Sequence, residues 1–508
     1  MLSGVPWWQV LLALLPFITL IVGFTLFRAD ALRLSLIVWV VEMFLSFFGF
    51  GLSFAKLWEA SVWGNIVMWT GFLVLYSGQV FGQSFRSTGL LRILLDTLGR
   101  VLPTTEGKAM TLSSVVGGII GAFNGFATYP VTIPGLVELG ANGVQAAAGY
   151  LVYFAGNIAF VSLFIAATLA NTATGLPIAD IAQVMGLLTL PLVILSAIGF
   201  FRIMGYSLKK RSNILLIVLS SSANIAAILI FTQWLKEYYI LTLIAAAVFT
   251  LILFYLFRRQ LSDGESAQLA AVSAEAVHSR TDVIKSVAPL AIGAVLVVLW
   301  KFQAVLRLVG HAQFTVGLWG HKAIAINLLN TPGLFIFATA ATCYVVATNP
   351  KANFWSDLKA ATKRGYDSLL TMVFGSAMVY LMVDSGQINM LAKVLGAWGS
   401  SVYAVLTSVL TFLAGMAFGQ GMPADLMFSG MQVKAAAALH APLVVLVALA
   451  ALMTMGPANP LKPSLLRYTS SLAKIKGEDG TLFRLALPWQ AAALAIVAIG
   501  TVILLRVW

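Results

Sequence analysis

"GAFNGFATYPVTIPG", residues 121–135, decides how this chain is read. It follows the apolar run "MTLSSVVGGII" at 110–120 and holds three glycines, two prolines, one asparagine and two threonines, with no charge. Glycine and proline interrupt a helix, and lipid cannot satisfy the backbone groups they free. Irregular backbone at membrane depth is tolerated where it lines a cavity or is buried in protein. The alternative reading is a helix-packing kink lined by small residues.

The setting of that stretch is apolar throughout. The chain has 508 residues, 60% hydrophobic and 10% charged, with mean hydropathy +0.95. Soluble domains carry about 25% charged residues. Windows such as 8–27, 182–204 and 486–505 have the length and composition of membrane spans. The fold class expected is an all-α polytopic membrane protein. The first apolar run lacks a basic leader and reads as a retained helix. Helices are expected at 8–27, 31–53, 60–82, 143–168, 182–204, 213–235, 238–257, 283–304, 334–348, 368–384, 441–457 and 486–507, about twelve crossings. Regions 109–140 and 400–434 stand apart as broken segments, either re-entrant or crossing twice.

The net charge of +13 raises nucleic acid as a partner, and the placement of the charge argues against it. With the N-terminus outside, alternate loops place 23 of the 31 basic residues inside, among them Arg86, Lys359, Lys363 and Arg364. Basic bias of this kind sets orientation in a bilayer. Tryptophans such as Trp7, Trp8 and Trp489 flank the spans as interface anchors. The single cysteine, Cys343, reads as a buried inert thiol. No cofactor motif or metal-ligand spacing is present, and neither a nucleophile elbow nor paired intramembrane carboxylates support an enzyme.

The chain also repeats. "YSGQ" at 76–79 and "DSGQ" at 384–387 are each followed by an amphipathic stretch and then by a glycine-rich apolar run that breaks. The breaks contain Pro130 and Pro423. The charge map runs helix 60–82 inward and helix 368–384 outward, so the copies are inverted. Residues 1–207 form the first repeat, 208–282 a connector with a cytoplasmic linker, and 283–508 the second. Paired interruptions at matching positions of inverted halves point to a transporter's binding site.

Candidate site residues follow from that placement. Asn124, Gly125 and Thr128 lie in the first break, and Gln420 and Gly421 in the second. Their amides and helix ends suit a small anion. Asp425, a carboxylate in an uncharged stretch, is a candidate for proton coupling or a helix cap. Glu42 is a second candidate relay, or the partner of a basic group. Asn157 and Asn459 sit at comparable points of the two halves, to bind substrate or a neighbouring helix. Gln79 and Gln387 read as structural helix-end residues.

"GAF" at 121–123, "YPVTIPGLVELG" at 129–140, "AAAGY" at 146–150, "TGLPIADIAQVMGLLTLP" at 174–191, "GQGMPADLMFSGMQ" at 419–432 and the tail "KPSLLRYTSSLAKIKGEDGTLFR" at 462–484 resemble the L-lactate permease family of proton-linked hydroxy-monocarboxylate transporters. That resemblance implies secondary active transport of a lactate- or glycolate-like anion in the cell inner membrane. It implies symport with a coupling ion, a proton in preference to sodium, and a basic substrate contact at Lys462. The sequence departs from the family at three places. Asn124 stands where the family has a glutamate. "MGLLTLP" lacks an arginine before Pro191. Gln420 to Ala424 replace a serine- and threonine-rich cluster. These losses leave open an inorganic-ion or cation/proton exchanger on the same fold.

Overall fold

The computed structural model describes residues 4–102, 104–123, 125–157, 159–235, 241–261, 278–299, 313–321, 323–327, 332–396, 400–417 and 422–508. It is an all-α polytopic membrane protein apart from one small hairpin. Eight described helices are long and apolar enough to cross a bilayer, and Thr242–Leu256 and Gly333–Val345 are shorter apolar helices. Asn124, Gln420 and Gly421 lie outside the described residues.

The chain opens with α1 (Trp7–Thr25) and α2 (Ala31–Phe44), the latter prolonged by a π turn at Leu45–Gly49. The expected helix 60–82 is longer and bent. It comprises α3 (Phe54–Val67) and α4 (Trp69–Ser87), which meet at Met68, whose φ of −85° and ψ of 4° leave the helical basin. Hydrogen bonds from Met68 N to Gly64 O and from Phe72 N to Met68 O carry the chain across the bend. The amphipathic α5 (Leu90–Val101) follows. Then come α6 (Thr105–Thr111), a π stretch Leu112–Val116, α7 (Gly117–Phe123) and, past the break, α8 (Tyr129–Glu138). The expected helix 143–168 divides into α9 (Gly143–Asn157) and α10 (Ala159–Thr174). Next are α11 (Ile178–Ile203), α12 (Arg211–Leu229), α13 (Thr242–Leu256) and α14 (Arg258–Leu261).

The rest of the chain runs through α15 (Arg280–Leu299), α16 (Pro332–Val345), α17 (Phe354–Asp384) and α18 (Gln387–Gly396). It continues with α19 (Ser400–Ala417), α20 (Met422–Leu439), α21 (Leu443–Met455), α22 (Pro463–Leu472) and α23 (Asp479–Val507). Between α15 and α16, strands Gln313–Val316 and Ile324–Asn327 pair antiparallel, with Gln313 opposite Asn327. Their β-branched and aromatic residues favour that pairing over helix.

Two corrections concern the ends of long helices. Helix α17 is 31 residues long, not the 17 of window 368–384. Hydropathy sees only its apolar half. Its polar start is fixed by Asn353, whose side chain accepts from Ser356 N at 3.0 Å. Lys359, Lys363, Arg364 and Arg86 are therefore helical residues and not loop cations. The glycine that ends α4 is Gly89, with φ +84°, while Gly78 of "YSGQ" lies inside the helix. Gly386, which ends α17, has φ +79°. Only glycine adopts that conformation without strain.

Helices α3 and α4 run antiparallel to α17. Asn65 Oδ1 accepts from Ser376 Oγ at 2.9 Å near one end, and Gln83 Nε2 donates to Asp357 Oδ1 at 2.9 Å near the other. The backbones touch at Gly64, where a Cβ would lie 2.6 Å from Ser376 O. Close approach through small residues is how helices associate without a hydrophobic driving force.

Arg467 on α22 draws four helices together. Its guanidinium meets Asp30 before α2, Asp367 on α17 at 2.7 Å and Asp479 at the start of α23 at 3.3 Å. Asp479 is fully buried and also accepts from Ser470 Oγ and from Ala31 N at 3.0 Å. Both oxygens of this buried carboxylate thus have donors, which such a cluster needs to be tolerated.

Candidate functional site

The first break is real and short. Helix α7 ends at Phe123, a 3-10 turn covers Gly125–Ala127, and α8 begins at Tyr129. Thr128 is fully buried, and its Oγ1 donates back to Gly125 O at 2.7 Å. Its own carbonyl accepts from Val131 N and Thr132 N. Thr128 and Gly125 thus knit the break, while Pro130 removes one donor from the new helix where none is needed. The break is pressed against α4, since a Cβ on Gly82 would lie 2.1 Å from Pro130 Cβ. Tyr129 stands at the junction, with its ring 4.8 Å from Phe154, 5.4 Å from Tyr150 and 6.1 Å from Tyr468.

Helix α19 ends at Ala417 and α20 begins at Met422, and residues 418–421, where the sequence places the second break, lie outside the described residues. Asp425 lies in the first turn of α20 and is fully buried. Oδ1 accepts from Ser429 Oγ at 3.0 Å, and Oδ2 has no partner among the described residues. A carboxylate in a helix's first turn also meets the positive end of the helix dipole. Helix α10 packs against both α20 and the 3-10 turn of the first break. It is the element the two breaks share.

The other candidates are scattered. Glu42 is fully buried in α2, where Oε1 accepts from Ser46 Oγ at 2.6 Å and from Gln387 Nε2. Its Oε2 has no partner among the described residues. Glu42 is thus tied to α18 by Gln387, which is not a simple helix-end residue. Asn157 donates to Ser196 Oγ at 2.7 Å and to Val193 O at 3.2 Å on α11. Asn459 opens the 3-10 turn Asn459–Leu461, and its carbonyl accepts from Lys462 N. Lys462 is 1% exposed, with no ion-pair partner among the described residues.

A polar group that the sequence reading passed over lies beside the first break. Gln79, Gly82 and Arg86 recur on one stripe of α4, and Gly82 is the residue pressed on Pro130. Gln79 is 1% exposed, and neither amide atom has a partner among the described residues. Across the helix pair, Arg364 Nη1 donates to Gln83 Oε1 at 3.0 Å. Gln83 is held in turn by Asp357, which also accepts from Ser87 Oγ and lies 2.7 Å from Tyr344 OH. The signal was the spacing Gln79, Gln83, Arg86, which is helical and continues past the apolar window.

Comparison with known proteins decides the kinship. A family model described as L-lactate permease matches residues 9–508. The chain belongs to the L-lactate permease family. The L-lactate permease of Streptococcus iniae is 22% identical over 439 residues, which span 84% of this chain and 91% of that protein. A permease-family chain with this many apolar spans is a multi-pass protein of the cell membrane with a role in transport. The family match does not favour the ion-exchanger alternative. At 22% identity most individual side chains differ between the two proteins.

Proposed function

We propose that this permease carries a small hydroxy-monocarboxylate, lactate or glycolate in kind, together with a proton, by alternating access. The name of the Streptococcus iniae relative supports lactate as the first substrate to test. Residues 1–207 and 283–508 act as inverted arms joined by 208–282, with about twelve crossings in all. The order of elements supports this. In each arm a long helix ends on a left-handed glycine and an amphipathic helix and further helices follow, interrupted at 124–128 in the first arm and with residues 418–421 outside the described ones in the second. The long helices α4 and α17 of the two arms lie antiparallel, as inversion requires. The connector helices α12 and α13 pack on each other.

The observation that carries the coupling is Asp425, a fully buried carboxylate in the first turn of α20 with one oxygen unpartnered among the described residues. Intramembrane carboxylates are expensive, and they mark ion pathways and proton relays. Glu42 is the second carboxylate of this kind. Asn124, Thr128, Gly125, Gln420 and Gly421 supply helix-end and amide contacts to the anion, with Asn157, Asn459 and Lys462 behind them.

The test is uptake of labelled L-lactate into vesicles holding the purified protein. An inward proton gradient drives accumulation, and a protonophore abolishes it. Asp425→Asn retains lactate-for-lactate exchange, which moves no net proton, and loses gradient-driven accumulation by at least tenfold. Accumulation at the wild-type level in Asp425→Asn removes Asp425 from the coupling path. Accumulation indifferent to the protonophore removes the proton.

A further inference from the structure

We propose that Arg86, Arg364 and Gln79 form the seat for the transported anion, with Arg86 as a side-on fork for its carboxylate and Gln79 as the contact for its hydroxyl. This rests on the carrier reading above and names the side chains that would do the gripping.

The atoms of Arg86 without a partner among the described residues are Nε and Nη2, both buried. These two define one edge of the guanidinium. Their N–H bonds point the same way, at the separation of two carboxylate oxygens, which is the bidentate arrangement that makes arginine suited to carboxylates. A buried guanidinium edge with no acceptor is costly, so an acceptor is expected there when the protein works.

Arg364 reaches Gln83, one turn before Arg86 on α4, and the charges of the two arginines oppose one another. Two cations in a poorly solvated interior oppose one another unless an anion joins them. The carboxylates in reach do not do so directly. Asp357 is occupied by Gln83, Ser87 and Tyr344, and Glu138, the other charge felt by Arg86, is exposed. Gln83 fixes Arg364 from the side of α4, and Tyr468 lies within electrostatic reach of it.

Gln79 lies on the stripe that carries Arg86, two turns away, and against Gly365 of α17, where a Cβ would be 3.3 Å from Gln79 Cγ. A primary amide that is 1% exposed and unpartnered at both ends presents one donor and one acceptor, which a hydroxyl uses together. The occupant this chemistry selects has one carboxylate, a neighbouring hydroxyl and little bulk. The seat borders the first break through Gly82 and Pro130, and Tyr468 packs on Tyr129 at its junction. A shift at the break is thereby passed to the groups that hold the anion.

The test is ligand-induced thermal stabilisation of the full-length protein in detergent, titrated with L-lactate, propionate and sulfate. Wild type prefers lactate over propionate. Arg86→Gln and Arg364→Gln each weaken lactate binding at least tenfold. Arg86→Lys keeps the charge, loses the fork and lies between. Gln79→Leu keeps propionate affinity within twofold and loses the preference for lactate. Each variant is first checked for a monodisperse peak, and Gln79→Leu and Arg86→Lys carry the test if the glutamine variants fail to fold. Wild-type lactate affinity in the arginine variants overturns the seat and leaves the carrier reading standing. Wild type that prefers propionate or sulfate, with that binding lost in Arg86→Gln, supports an anion seat and overturns lactate as cargo. Binding of none of the three overturns the seat.

Discussion

Residues 54–138 and 354–439, the stretches that the proposed repeat pairs, gather different chemistry around their breaks, the second of which is expected at 418–421, outside the described residues. The first break lies against the stripe Gln79, Gly82, Arg86, and the buried carboxylate near that stripe, Asp357, is taken up by Gln83, Ser87 and Tyr344. The second is followed at once by the buried Asp425, and no cation pairs with that group among the described residues. On the proposed reading the charged contacts of the anion lie beside the first break, and the carboxylate that takes the proton follows the second. A carrier that couples the two needs them apart, since an arginine beside Asp425 would hold it ionised at every pH of interest. Helix α10, which packs on both, is the physical link between them.

The largest effect comes from uncoupling the two regions altogether. Arg467 joins Asp367 of the second long helix to Asp30 and Asp479 at the starts of α2 and α23. Arg467→Ala strands those carboxylates, one of them fully buried. Breaking a buried pair from one side costs about 3–5 kcal/mol. The expected outcome is a thermal unfolding transition in detergent lowered by many degrees, with partial recovery in the double variant Arg467→Ala, Asp479→Asn. An unchanged transition in the single variant shows that the cluster does not dock the arms.

A smaller effect separates the breaks themselves. Gly82→Ala drives a methyl into Pro130, 2.1 Å from its Cβ and 2.9 Å from its carbonyl carbon. Overpacking of this kind costs about 1–3 kcal/mol, and it displaces the start of α8. In the second arm, Gly430 on α20 has nothing within 4 Å of its would-be Cβ. Gly430→Ala is therefore neutral or stabilising by up to about 1 kcal/mol, the helix-propensity gain. Lactate affinity falls with the first substitution and holds with the second. Equal effects at both sites deny that the first break is the tightly packed one.

The sequence made the second region easier to read than the first, for a physical reason. Asp425 and Glu42 are isolated charges within apolar runs, so their cost is visible without a structure. The interruption at 121–135 was legible from its glycines and prolines. Arg86 and Arg364 were not, because each lies just past an apolar window and was credited to a loop as a topogenic cation. The helices continue through those positions as amphipathic rods, Asn353 capping one and Gly89 closing the other. The tripeptide that suggested a repeat falls at different points of the two long helices. Gly78 and Gly386 share a tripeptide, but Gly89 is the residue with the conformation of Gly386. It lies about three helical turns further on, so the same face is presented and the polar pattern does not betray the slip. The close packing of Gly82 on Pro130 has no sequence signature at all.

The two left-handed glycines give the finest test. Gly386→Ala meets nothing within 4 Å, so its cost is the backbone strain alone, about 1–2 kcal/mol. Gly89→Ala carries that strain and also brings its methyl to 2.7 Å from Thr348 Oγ1. The end of α4 is clamped there. Thr348 and Asn349 donate backbone N–H groups to Thr88 O at 3.1 Å, and Asn349 Nδ2 donates to Ser87 O at 2.8 Å. The end of α17 is tied by side chains instead, with Asp384 3.3 Å from His321 and Gln387 donating to Glu42. Gly89→Ala therefore lowers the unfolding temperature more than Gly386→Ala. In the wild-type protein, amides at 87–92 exchange with deuterium more slowly than those at 384–389. The reverse order of exchange places the rigid joint in the second arm, and with it the arm that stays still while the other moves.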